Sequence, residues 1–121
     1  MTQSQISPPT GVHPDSSSGC AGGLPGYQWE LCMFINGSGN YVDSMQGQAY
    51  TYDMYLYGPL QLHGPGGYSV NSANEVWNNN TLWVLTNNLD KYMDTGTYCV
   101  TWWEDTSGKY VDFTSACESV E

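Results

Sequence analysis

Large side chains alternate with polar or small ones along much of this chain, and this period of two constrains the fold more than any other feature. From Tyr27 to Ile35, aromatic and apolar residues occupy every second position and share one face of an extended segment. The glycine-rich residues 36–40 predict a turn, and residues 41–49 predict the returning strand. The sequence therefore predicts a β-hairpin that is buried on one face.

The same alternation continues over residues 50–62. The polar face carries Tyr55 and Tyr57, and the other face, which we expect to point inwards, carries Tyr50, Tyr52, Met54, Leu56, Leu60 and Leu62. Pro59 lacks a backbone donor, so we expect an edge position or a bulge there. Residues 81–86 are apolar on both faces. This segment is predicted to be either a central strand or a strand that a partner covers.

The remaining segments complete an all-β pattern. Residues 71–80 read as a polar loop that carries Trp77, and residues 87–95 as a turn. Residues 96–103 and 109–115 read as the two strands of a last hairpin. No stretch of ten residues shows helical periodicity. Short strands with frequent turns predict a small antiparallel β-sandwich, immunoglobulin-like in outline.

The beginning of the chain differs in composition, with many Pro, Ser and Gly residues over positions 1–24. We expect an extended N-terminal tail there, followed by a β-sandwich domain over residues 25–121. An extended backbone can add a strand to a sheet edge or fill a groove of another protein. Ile6, Pro8 and Val12 are the predicted contact residues of this tail.

The chain has four cysteines and none forms a Cys-x-x-Cys pair, which indicates two disulfides and no metal site. The last hairpin would bring Cys99 next to Cys117. This favours the local pairing, in which the two disulfides are Cys20–Cys32 and Cys99–Cys117. A long-range pair such as Cys32–Cys99, joining two sheets, is the alternative. Disulfides predict an oxidising compartment, extracellular or periplasmic, and we expect a secreted, extracellular protein. The start lacks a basic and apolar leader, so we expect a mature sequence whose signal peptide is gone, and no apolar run has membrane-spanning length.

The charge is strongly one-sided, with 12 acidic residues, two lysines, no arginine and a net charge of −10. Nucleic-acid binding requires a basic surface, so that class is excluded. The electrostatic complement of such a chain is a cationic partner.

The residues that could catalyse a reaction are few. A nucleophile would need a base such as His63, and a glycosidase pair could use Glu30 with Asp53. Asp90 and Asp94 resemble part of a calcium loop but lack its closing bidentate acid. We expect a non-enzymatic protein without cofactor or metal.

The aromatic content points to binding, because ten tyrosines and five tryptophans exceed what one small core can hold. Trp102 and Trp103 are adjacent on a strand, so they point to opposite faces and one belongs to the core. The predicted partner- or ligand-binding side chains are Tyr55, Tyr57, Trp77 and Trp103.

The run from Asp94 to Cys99 resembles the tyrosine corner of immunoglobulin-like domains, where a tyrosine precedes a strand cysteine by two residues. Here Tyr98 and Cys99 are adjacent. The cysteine therefore faces the other side of the strand, which argues against an inter-sheet disulfide.

Four segments together, Cys32–Gly47, Tyr55–Pro59, Gly96–Trp102 and Ala116-Cys117, resemble small secreted actinobacterial proteins with two disulfides, over about residues 20–120. Most of that group have no known role. The chain is also similar to the adaptor subunits of umbrella toxin particles, which join a toxin polypeptide to a lectin-like subunit and insert an N-terminal extension into a partner. The resemblance implies an adaptor subunit of an extracellular protein assembly.

Two other functions remain open from the residues. A carbohydrate-binding module would use the exposed aromatic residues on a polysaccharide. A secreted protease inhibitor would present a disulfide-held loop, with Lys91 or Lys109 as the residue that a trypsin-like protease recognises.

Overall fold

The computed structural model describes residues 17–23, 26–52, 54–78 and 80–121. Within this part of the chain there are ten β-strands and one short 3-10 turn, Pro65–Gly67. The strands are β1 Ser17–Gly22, β2 Trp29–Ser38, β3 Tyr41–Thr51, β4 Tyr55–Gly58, β5 Leu60–Gly64, β6 Tyr68–Asn71, β7 Glu75–Asn78, β8 Thr81–Tyr92, β9 Gly96–Thr106 and β10 Lys109–Val120. The predicted all-β fold is confirmed.

The strands form two four-stranded antiparallel sheets that pack face to face. The first sheet has the order β1-β2-β3-β8, and the second has the order β10-β9-β5-β6. Strands β4 and β7 pair separately as a two-stranded ribbon. The arrangement is a small antiparallel β-sandwich, as the period of two predicted.

The core lies between the sheets and follows the alternation of the strands. In β2, Leu31, Met33 and Ile35 are buried, and in β9 the alternating residues Val100 and Trp102 are fully buried. Burying one such side chain contributes about 1.5–3 kcal/mol relative to leaving it in water. Trp102 is thus the core member of the tryptophan pair, and Trp103 on the opposite face is only half-buried.

Gly47 of β3 lies directly against Val100 of β9 in the space between the two sheets. A Cβ atom added at Gly47 would lie 2.5 Å from Cγ2 of Val100. Glycine is therefore the residue that allows this sheet-to-sheet distance, because any larger side chain would overlap a buried valine.

Both disulfides have the predicted local pairing, Cys20–Cys32 and Cys99–Cys117. Each joins two directly opposed residues of neighbouring strands within one sheet. The long-range alternative Cys32–Cys99 is excluded. The adjacency of Tyr98 and Cys99 explains the difference from immunoglobulin domains, since Tyr98 is buried and Cys99 therefore points away from the core.

The boundary that was predicted between tail and domain, after residue 24, differs from the structure. Residues Ser17–Gly22 pair with β2 and form an edge strand of the first sheet. A Cβ at Gly19 would lie 2.7 Å from the main-chain oxygen of Cys117, so β1 also lies against β10. The sequence of this strand shows no apolar alternation. Backbone pairing with β2 and the Cys20–Cys32 disulfide hold it in place instead.

The predicted continuous strand 50–62 is divided in the structure. β3 ends at Thr51, and the chain continues as the short strands β4 and β5. Thr51 is buried, whereas Tyr50 and Tyr52 are only half-buried, with ring centroids 4.7 Å apart. The predicted inward face of Tyr50 and Tyr52 was wrong, because Ala49 and Thr51 continue the inward positions of β3.

Two segments that were predicted to be irregular contain strands. The loop 71–80 includes β7, which pairs with β4. The turn predicted at residues 87–95 is instead the second half of β8, which pairs with β3 as far as Tyr92. An extra residue near Asp90, whose φ is 50°, forms a bulge there. Asn and Asp favour turns locally, but pairing with β3 outweighs that preference.

Candidate functional site

The strand β8 carries an exposed apolar surface at one edge of the first sheet. It pairs with β3 on one side and is the last strand in the order β1-β2-β3-β8. Three consecutive side chains are exposed to large fractions, Leu82 to 54%, Trp83 to 38% and Val84 to 39%. We call these three residues the β8 patch.

The β8 patch presents apolar groups on both sides of a single strand. Trp83 is opposite Ala49, whose side chain faces the core, so Trp83 lies on the inner side of the sheet edge. Leu82 and Val84 alternate with it and lie on the outer face. The sequence had left two interpretations open for this strand, and the edge position excludes the central one.

The first three-quarters of β8 lack the features that normally protect a sheet edge. Natural edges carry charged residues, proline or bulges that prevent pairing with another chain. Residues 81–89 contain no ionisable group and no proline. The charges Asp90 and Lys91, together with the bulge, occur only at the end of the strand.

The aromatic residues singled out in the sequence occupy two places. Tyr55 and Tyr57 are exposed on the same side of β4, with Leu56 buried between them. Trp103 lies on β9, and its indole N–H donates a hydrogen bond of 3.0 Å to the side-chain oxygen of Gln61. For Trp77 the structure describes only the backbone position, opposite Leu56.

Strand β4 reaches β9 near Trp103. A Cβ at Gly58 would overlap the main-chain oxygen of Trp103, and the main-chain N–H of Trp103 donates to the oxygen of Pro59 at 3.0 Å. The predicted tail contacts Ile6, Pro8 and Val12 lie outside the described residues, so their role stays a prediction.

The histidine that could have served as a base lies beside a buried hydroxyl. Nε2 of His63 is 2.7 Å from Oγ1 of Thr101, which is 2.8 Å from Oγ of Ser115. Thr101 is only 2% exposed, so a substrate cannot reach the hydroxyl next to His63. This arrangement joins β5, β9 and β10 on the outer face of the second sheet.

Of the two acidic candidates, only Glu30 lies within the described residues. Glu30 accepts a hydrogen bond of 3.4 Å from the hydroxyl of Tyr52, and Asp53 lies outside the described residues. Glu30 is also near Cys20 and Cys32, but both sulfur atoms are engaged in the disulfide and supply no thiolate to a metal ion.

Among the described residues, none of the helices has the length and apolar character that crossing a bilayer requires. No protein-family model, no curated protein and no solved structure matches this chain. Fold and site together define a disulfide-bonded antiparallel β-sandwich with an exposed apolar sheet edge. The likeness to secreted actinobacterial proteins and umbrella toxin adaptors stays an expectation from the sequence.

Proposed function

We propose that this protein is a secreted, non-enzymatic interaction module that binds another secreted protein subunit through the β8 edge. The observation that supports the proposal is the β8 patch, three consecutive apolar side chains on an edge strand without protecting charges. Binding through the β8 edge would serve the adaptor role in an extracellular assembly that the sequence resemblance implies.

The binding mode is the addition of an extended segment of the partner to the first sheet. Every second residue of an antiparallel edge strand directs its N–H and C=O away from the sheet, which gives a row of main-chain partners for another strand. Full burial of a leucine or valine contributes about 1.5–3 kcal/mol, and roughly half of that remains to be gained at Leu82. The patch therefore adds apolar contact to main-chain pairing.

The partner is a different protein with a cationic surface near its docking strand. The net charge of −10 means that two copies of this chain repel one another, whereas a cationic chain is attracted. The neutral stretch 81–89 makes the contact itself apolar, while the surrounding acidic surface favours approach of the right partner.

The test compares two valine-to-lysine substitutions on two edge strands. Val84→Lys places a charge in the β8 patch, and Val111→Lys makes the same change on β10, where Val111 is also exposed. Each tagged variant is used to purify partners from the medium of the native secreting cells, followed by quantitative mass spectrometry and calorimetry with the recovered protein. We expect wild type and Val111→Lys to bind and Val84→Lys to lose at least tenfold in affinity, about 1.4 kcal/mol.

Two results would contradict the proposal. A concentration-dependent dimer in sedimentation velocity that Val84→Lys dissociates would identify a second copy as the occupant. A partner held equally by all three proteins would place the binding elsewhere on the surface.

The predicted tail is tested separately. Deleting residues 2–16 removes only the chain before β1 and leaves every strand described above intact. If the partner is lost on this deletion but retained by Val84→Lys, the tail carries the binding as the sequence predicted, and the β8 edge does not.

A further inference from the structure

A second surface, on the outer face of the second sheet, has the properties of a small-ligand site. A cleft of about 570 Å³ opens where β5, β6 and β9 meet the segment 72–74 and the beginning of β10. Its volume falls within the ~300–1,000 Å³ that is typical of small-ligand pockets. The residues of its lining that matter here are Gln61, Asn71, Asn74, Trp103 and Tyr110.

The side chains of the cleft are held in place by one another. Trp103 donates to Oε1 of Gln61 at 3.0 Å, and Nε2 of Gln61 donates to Oγ of Ser69 at 2.9 Å. On the other side, Tyr110 donates to Oδ1 of Asn74 at 3.4 Å. A ligand that binds here orders few further side chains, which keeps the entropic cost of binding low.

The loop that forms one wall is also anchored. Oγ of Ser72 accepts a hydrogen bond from the N–H of Leu60 at 2.8 Å, and the N–H of Ser72 donates to the oxygen of Leu60 at 2.9 Å. Nδ2 of Asn74 donates to a carboxylate oxygen of Asp105 at 3.3 Å. The side chains of Ser72 and Asn74 thus fix this wall to β5 and β9.

The chemistry of this lining selects one class of ligand. A primary amide places a donor and an acceptor side by side, which matches two neighbouring hydroxyl groups, and three such amides surround the cleft. The rings of Trp103 and Tyr110 offer apolar surface for the C–H face of a sugar ring. The carboxylate of Asp105 and the overall charge of −10 disfavour acidic sugars.

We propose that this cleft binds the end of a neutral saccharide chain, with Trp103 and Tyr110 in apolar contact with a pyranose ring and Gln61, Asn71 and Asn74 hydrogen-bonded to its hydroxyl groups. This site is independent of the β8 edge, because it lies on the other sheet. Of the four aromatic residues that the sequence predicted as binding residues, only Trp103 lines this cleft.

The test is a screen of the intact protein against an array of neutral and acidic glycans, followed by titration with the neutral oligosaccharides that bind. The indole N–H resonance of Trp103 reports on binding by NMR, since this proton faces the lining residue Gln61. We expect it to shift on titration with a neutral oligosaccharide. Tyr110→Ala and Asn74→Ala should each weaken binding about tenfold or more.

The matched control is Tyr55→Ala, which removes another highly exposed tyrosine from a different strand. It should leave saccharide affinity unchanged, as should Val84→Lys. The proposal is overturned if no neutral glycan binds, if acidic glycans bind better, or if Tyr55→Ala abolishes binding while Tyr110→Ala does not. Displacement of the sugar by a proline-rich peptide that binds more tightly would likewise assign the cleft to a peptide.

Discussion

The side-chain hydroxyl of Tyr98 donates a hydrogen bond to the main-chain oxygen of Asp94, 2.7 Å away and four residues earlier in the chain. The ring of Tyr98 is fully buried and packs edge-on against Tyr68, with centroids 5.7 Å apart. One side chain thus joins the connection between β8 and β9 to the core, as a tyrosine corner does. The run from Asp94 to Cys99 resembles this motif in sequence, and the structure shows the hydrogen bond and its acceptor.

Replacing Tyr98 with phenylalanine should remove this hydrogen bond and leave the packing in place. The loss of one buried hydrogen bond costs about 1 kcal/mol, which corresponds to a decrease in melting temperature of about 4 °C for a domain of this size. Thermal denaturation at neutral pH measures the effect. Tyr92→Phe is the control, because the ring of Tyr92 is largely exposed, and an equal decrease in both variants would contradict the assignment.

The same tyrosine makes stability depend on alkaline pH. Burial raises the pKa of Tyr98 above its ordinary value of 10.0, and the charges of Asp94 and Tyr68 raise it further. Burial also raises the pKa of Tyr68. The folded protein therefore keeps protons that the unfolded chain releases, so this stability is fully present below pH 10 and is lost as pH rises through the folded pKa.

Urea denaturation between pH 8 and pH 11.5 checks this dependence. The midpoint should stay level up to about pH 10 and then decrease, and Tyr98→Phe should show a shallower decrease than wild type. If the urea midpoint of the wild type instead increases as the pH is raised beyond 10, the predicted direction of the pH dependence is wrong.

The two disulfides should contribute similar amounts to stability but protect different strands. Their sequence separations are 12 and 18 residues, for which loop closure predicts about 3 kcal/mol each, with the longer loop ahead by a few tenths. In Cys20→Ser/Cys32→Ser, we expect faster hydrogen exchange of β1, the edge strand that this bond ties to β2. Exchange of β10 should stay slow in this variant, and unchanged protection of β1 would contradict the prediction.

Gly47→Ala should destabilise the fold although it adds one methyl group. That methyl would lie 2.5 Å from Cγ2 of Val100 in the core between the sheets, and overpacking of this kind costs about 1–3 kcal/mol. Gly26→Ala is the control, because nothing lies within 4 Å of its added Cβ. Urea denaturation of the double variant Gly47→Ala/Val100→Ala should give less than the sum of the two single losses.

Several features were predictable because local periodicity alone decides them. The alternation from Tyr27 to Ile35 indicates which side chains of β2 face the core, since neighbouring residues of a strand must point to opposite sides. The hairpin that ends the chain brings Cys99 opposite Cys117 through the register of two adjacent strands. Both inferences need only contacts between segments that are close in sequence.

Other features depend on contacts between distant segments, and local patterns carry no signal for them. β1 has no apolar alternation and is held by pairing with β2 and by a disulfide. The apolar run at residues 81–86 is equally compatible with a central and an edge strand, and only the order β1-β2-β3-β8 explains why the inward-facing Trp83 is 38% exposed. The cleft at Trp103 likewise combines side chains from β5, β9 and β10.

The amino-acid sequence by itself indicated the all-β class, the alternating faces of β2 and β9, and the pairing Cys99–Cys117, because each follows from the geometry of one strand or one hairpin. The tertiary structure alone decided which strand lies at the sheet edge and which aromatic side chains line a common cleft. These depend on the order in which strands assemble into sheets, and that order is set by the summed packing of the whole core and not by any one segment.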